Sequence, residues 1–166
     1  GLHRSIAYTS FLRAIERERV PIHMVCGSEF GAIVGAYYAD KVSPEKIEWQ
    51  FYKFFNQVKD KVAYSNEWFS ELKNVMLGPL ANKSIESIKN SYCVTLRNPK
   101  SKAIETIFKG KLSPLLEAQF TSQGAYAWNA CPVQGMRQKG ADIIIAVSAL
   151  GDSADFEHPR ELLIGP

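Results

Sequence analysis

Cysteine and histidine are scarce, with three of each in 166 residues. Cys26, Cys93 and Cys131 fall at no metal-ligand spacing, and their odd number leaves no complete set of pairs. Each stands beside apolar residues, which leads us to expect buried free thiols in a reducing compartment. No apolar run approaches the ~20 residues of a membrane-spanning helix. No basic region followed by an apolar one marks a secretory leader. An excess of one charge is lacking too, since 20 basic against 17 acidic side chains leave only +3. The short basic clusters at Lys100–Lys102 and Lys109–Lys111 read as solvated loops, so nucleic acid is not an expected partner. Neither a metal nor another cofactor is expected, and there is no internal repeat or low-complexity linker.

What is present fits one globular domain with a core of its own, at 46% apolar and 22% charged residues. Ser5 to Arg19 has helical spacing of Ala7, Phe11, Ala14 and Ile15, and Val20-Pro21 stops it. Ile22 to Cys26 is a short apolar run, read as a buried strand. His23 within it is either a catalytic base or, more simply, a satisfied strand histidine. After the turn at Gly27–Gly31, Ala32 to Ala39 forms a helix of small residues. Ser43-Pro44-Glu45 then opens another that runs to about Val58. Its aromatics (Trp49, Phe51, Tyr52, Phe54, Phe55) either line a lipid cleft or, the plainer use, pack the helix on the core.

Short helical patterns follow at Trp68–Val75 and Ser84–Ile88, separated by Gly78-Pro79. Ser91 to Leu96 and Ala103 to Phe108 read as strands around an Asn98-Pro99-Lys100 turn. Helices are expected over Leu112–Phe120 and Pro132–Lys139, the second closed by Gly140. Asp142 to Val147 is the clearest buried strand, and the tail from Asp152 reads as peripheral. Helices alternating with continuously apolar strands predict an α/β fold with a mainly parallel sheet.

Gly27-Ser28-Glu29-Phe30-Gly31 lies between a strand and a helix, in the pattern of a G-x-S-x-G nucleophile elbow. Such a turn projects its central residue above the sheet. Its flanking glycines are expected because side chains there would collide with strand or helix. The following helix N-terminus favours developing negative charge. Here the central residue is Glu29.

With its flanks, this segment resembles the patatin-like phospholipases. Gly1-Leu2-His3-Arg4-Ser5 resembles the end of that family's oxyanion loop, and Phe11 to Glu16 resembles its first helix. Val20 to Gly27 resembles the approach to the nucleophile, and Gly31 to Ala36 the helix beyond it. Asn129, Pro132, Gly140-Ala141-Asp142 and Ile143 to Val147 resemble the latter part of the domain. The resemblance runs over roughly residues 1 to 150. It implies a three-layer α/β/α fold and hydrolysis of lipid acyl esters by a serine–aspartate dyad. It also implies a single domain over 1–166 that lacks the family's first strand and a segment near Thr121.

Carried over residue by residue, the serine position holds Glu29. The aspartate position holds Gln123, or Gly124 if counted back from Pro132, and neither is a carboxylate. Arg4 of the oxyanion loop is in place beside Gly1, while His3 and Ser5 stand where small residues are usual. The resemblance therefore implies a domain without turnover that binds a lipid, an acyl ester or another ligand, or serves as an interaction module. An Arg4–Glu29 ion pair is one way to fill the former oxyanion site. The alternative is an active acyl hydrolase with a non-standard nucleophile, Ser28 assisted by His23 or His3. A phosphate binder at the turn ranks last, since Glu29 would repel anions. A protein partner or self-association is left open, and a cytoplasmic or peripheral-membrane place is favoured.

Overall fold

The computed structural model describes residues 6–98, 100–101, 103–121, 132–147 and 161–164, the last four by backbone alone. Helix α1 (Ile6–Arg17) turns Thr9 and Ile15 inward. It closes with Arg19 at φ 54° and a Val20 N–H to Ile15 C=O bond, a six-to-one helix stop. Strand β1 (Met24–Gly27) begins later than Ile22, where Ser91 first offers a neighbour to Met24. His23 thus precedes the strand and is exposed.

Helix α2 (Glu29–Ala39) starts three residues before the expected Ala32. The Ser28 carbonyl already accepts the Ala32 N–H at 3.1 Å, so the turn itself is the helix's first turn. Its small residues bring it onto the sheet. A Cβ on Gly35 would stand 3.1 Å from the Val25 side chain and 3.4 Å from the Tyr92 ring. The Tyr92 hydroxyl donates to the Ala32 carbonyl at 2.7 Å and ties sheet to helix.

Helix α3 (Pro44–Val58) buries Ile47, Phe51, Phe54 and Val58 and leaves Trp49 and Tyr52 in water. Its aromatics are thus divided by helical periodicity, and only one set packs the core. Helix α4 (Asn66–Glu71) is capped by the Ser65 hydroxyl on Trp68 N–H. It continues through a π turn (Leu72–Leu77) into a 3-10 turn (Gly78–Leu80). Gly78-Pro79 therefore tightens the helix instead of breaking it, because proline near the start of the new turn needs no N–H partner. A further 3-10 turn occupies Ile85–Ser87.

Strand β2 (Ser91–Arg97) pairs in parallel with β1, placing Cys26 opposite Cys93 and Gly27 opposite Val94. Strand β3 (Ile104–Ile107) pairs with β2 antiparallel. The described three-stranded sheet is therefore mixed, with one parallel and one antiparallel pairing. The Asn98 N–H to Ala103 C=O bond closes a hairpin too short for the crossover that a parallel neighbour requires.

Helix α5 (Leu112–Ala118) ends short of Phe120. Helix α6 (Val133–Gln138) is followed by Gly140 at φ 89°, in accord with its expected stop. Strand β4 (Ile144–Val147) is joined in parallel by β5 (Glu161–Ile164). The tail is therefore not wholly peripheral. Glu161-Leu162-Leu163-Ile164 is an apolar run too short to show a period of its own.

Side-chain alternation sorts the layers. Val25 and Tyr92 face α2, while Thr106 on the opposite face meets α6 at Gly135, where a Cβ would lie 2.2 Å from the threonine hydroxyl oxygen. Helices thus cover both faces of the sheet. Cys26 and Cys93 share the face of Thr106. They are in register on adjacent strands with Cα atoms 4.5 Å apart, and the structure joins them as a disulfide. The expectation of free thiols fails for these two because parallel pairing sets them side by side. Cys131 lies outside the described residues.

Candidate functional site

The corner at Gly27–Gly31 is built by packing. Gly27 is buried, and a Cβ there would sit 2.5 Å from the carbonyl carbon of Gly31 and 2.6 Å from the amide nitrogen of Ala32. Only glycine allows strand and helix to approach so closely. The same expectation fails at Gly31. A Cβ there would find nothing nearer than the Tyr8 ring at 3.8 Å, an ordinary contact. The missing side chain at Gly27 makes the room for both.

Ser28 is extended (φ −128°, ψ 151°), the helix N-cap, and its hydroxyl makes no capping bond. Glu29 follows at φ 51°, in the left-handed region. For a residue with a Cβ that conformation costs about 1–2 kcal/mol, so its neighbours must hold it there. Gln119, fully buried, does so from the end of α5. Its Oε1 accepts the Glu29 N–H at 2.9 Å, and its Nε2 donates to the Thr95 carbonyl at 2.9 Å. One side chain thereby fastens the apex of the corner to strand β2. Phe30 anchors the other side, with ring centroids 4.8 Å from Phe120, 5.9 Å from Phe51 and 6.4 Å from both Phe54 and Trp68.

The Glu29 carboxyl is half-buried, and its Oε1 meets no hydrogen-bond partner among the described residues. Burial pushes this carboxyl above the ordinary carboxylate range. The apex therefore carries a carboxyl whose charged form is disfavoured by burial.

Of the residues singled out by sequence, the structure brings Gly27, Ser28, Glu29, Phe30 and Gly31 into one corner. Gly1, Arg4 and Gln123 lie outside the described residues, as do His3 and the Arg4–Glu29 pair. His23 does not join the corner. It precedes β1, whereas Ser28 follows it, and the five residue steps between them span roughly 16 Å at ~3.3 Å each. It is out of reach as a base for Ser28.

Gln119 went unrecognised in the sequence, although a signal was there. Leu112, Leu116 and Gln119 recur at helical spacing on one buried stripe, and a polar residue on such a stripe must find partners inside.

A cleft of 410 Å³ lined by Glu16, Tyr38, Lys41 and Asn90, among others, lies at the opposite end of β1 and shares no residue with the corner. Among the described residues no cluster of His, Cys, Asp and Glu is placed to hold a metal. No described helix is long and apolar enough to cross a membrane.

The family model described as patatin-like phospholipase matches residues 1–149. No match is found among curated proteins.

Proposed function

The chain belongs to the patatin-like phospholipase family, and from that premise we propose that it is a lipid- or ligand-binding or interaction domain without turnover. The observation that carries this reading is Glu29 at the apex of the strand–turn–helix corner, in the left-handed backbone position where a nucleophile elbow presents its serine. A neutral carboxyl there has no lone pair activated for attack. An ionised one would attack to give a mixed anhydride, and it would set its charge against the developing oxyanion. Loss of one member of a nucleophile–base pair typically costs several orders of magnitude in rate. What remains is a half-buried carboxyl at the apex of a corner whose next residue, Phe30, packs into an aromatic cluster.

The test is hydrolysis of phospholipid and p-nitrophenyl esters by the native protein and by a Glu29→Ser, Gln123→Asp double variant. Inert native protein is the expected result, and activity gained in the variant would show that only the chemistry was lost. Turnover by the native protein that disappears in Ser28→Ala would overturn the proposal in favour of an active hydrolase with a displaced nucleophile.

A further inference from the structure

The Cys26–Cys93 bond joins the two strands that hold the Gly27–Gly31 corner. Strand β1 supplies Gly27, the residue after Cys26, which is packed on the Gly31 backbone with no room for a Cβ. Strand β2 supplies Thr95, two residues after Cys93. Its carbonyl accepts from the Gln119 side chain, which in turn accepts the Glu29 N–H. The Thr95 hydroxyl lies 3.9 Å from the Cys26 sulfur. The bond therefore fixes the offset between the two anchors of the corner. β1 has little else to hold it there, since it has four residues and, among the described residues, pairs only with β2.

The same geometry lets the bond open and close without refolding. The pairs from Met24–Ser91 to Gly27–Val94 set the two cysteines opposite each other whether or not their sulfurs are joined. Closure is then intramolecular, at high effective concentration. Access differs between the two residues. Cys93 is fully buried, whereas Cys26 keeps part of its surface exposed, so an incoming thiolate meets Cys26 first.

We propose that Cys26 and Cys93 form a reversible dithiol–disulfide site that locks the corner when oxidised and loosens it when reduced, with a dithiol as the reductant. One thiolate of the dithiol attacks the Cys26 sulfur, the bond between the two cysteines breaks, and Cys93 leaves and takes a proton. The second thiolate then displaces Cys26 from the mixed disulfide. The chain gains two electrons and two protons, and the reductant becomes a disulfide. Exchange with a small disulfide such as oxidised glutathione reverses the change. The lock acts on the backbone of the corner whether or not the corner turns over an ester, so this proposal and the loss of turnover fail separately.

The experiment is hydrogen exchange read by mass spectrometry on the native chain, oxidised and after incubation with dithiothreitol, with the bond located by peptide mapping. Dithiothreitol should open the bond in folded protein, and oxidised glutathione should restore it. On reduction, amides of residues 24–32 should exchange at least about tenfold faster, while those of α3 change by less than about twofold. A Cys26→Ser, Cys93→Ser variant should exchange like the reduced protein with or without dithiothreitol. If that variant does not fold, the native protein in its two redox states decides alone. A bond that resists dithiothreitol until the whole chain unfolds overturns the proposal. So does reduction that leaves residues 24–32 unchanged or that raises exchange evenly along the chain, the mark of a purely structural cross-link. Failure of mapping to find Cys26 joined to Cys93 under any oxidant overturns it as well.

Discussion

Gln119→Met would remove both polar ends of a buried clamp while keeping the length and the apolar stem. The Glu29 N–H lies in the first turn of α2, where no carbonyl of the helix can reach it. Without the glutamine Oε1 at 2.9 Å it has no replacement among the described contacts, and the Thr95 carbonyl loses the Nε2 donor at the same distance. A buried backbone group left unpaired costs about 1–3 kcal/mol, with the carbonyl toward the lower end because it has two lone pairs. Together they should cost about 2–4 kcal/mol, a large share of the ~5–15 kcal/mol that stabilises a typical domain. At about 1–3 kcal/mol per molar urea, the unfolding midpoint should fall by about 1–2 M. The melting temperature should fall by about 6–12 °C for a loss near 3 kcal/mol. A methionine variant whose midpoint lies within about 0.2 M of the native value would refute the assignment of Gln119 as the clamp of the corner.

The two glycines of the corner should part company. Gly27→Ala would press a methyl into the Gly31 and Ala32 backbone and should leave little folded protein, whereas Gly31→Ala should shift stability by no more than about 1 kcal/mol, as read by urea melts. For Glu29 the folded-state pKa is raised, so between its ordinary and its raised value the native state binds more protons than the unfolded one. Its contribution to stability is therefore present at low pH and lost as pH rises through that window. Glu29→Gln should flatten this part of the pH–stability profile and gain most over the native protein on its alkaline side. An unchanged profile would contradict the burial of the Glu29 carboxyl. Denatured but unreduced protein should titrate as a single free thiol and reduced protein as three, and three free thiols before reduction would refute the Cys26–Cys93 pairing.

The parts of the fold legible in the sequence are those fixed by local chemistry. Ser43-Pro44 places the start of α3 at Pro44, and Gly140 closes α6 at a positive φ, because caps and stops depend on a few adjacent residues. The corner was legible because Gly27 stands between an apolar run and a small-residue helix. What escaped depends on neighbours distant in sequence. The antiparallel placement of β3 follows from hairpin closure, the start of β1 from the position of Ser91, and the cysteine pair from strand register. β5 escaped because four apolar-rich residues carry no readable period, and only the side of β4 gives them a place. The exposure of Trp49 and Tyr52 was latent in the helical phase of α3, which sets them apart from Phe51 and Phe54.

The backbone of the corner is set by groups other than the carboxyl at its apex. Gly27 permits the approach of Gly31, Gln119 holds the Glu29 N–H, and Phe30 fills the space among Phe51, Phe54, Trp68 and Phe120. None of these contacts uses the side chain of Glu29. A serine there would bear the same left-handed cost of about 1–2 kcal/mol and would project from the same backbone. Glu29→Ser, Gln123→Asp therefore varies the chemistry while the frame at residue 29 stays fixed. If that variant folds like the native protein and still hydrolyses nothing, the defect lies beyond the apex. The resemblance of Gly1–Ser5 to an oxyanion loop then makes that segment the next proposal to test, and activity gained on adding His3→Gly, Ser5→Gly to the double variant would support it.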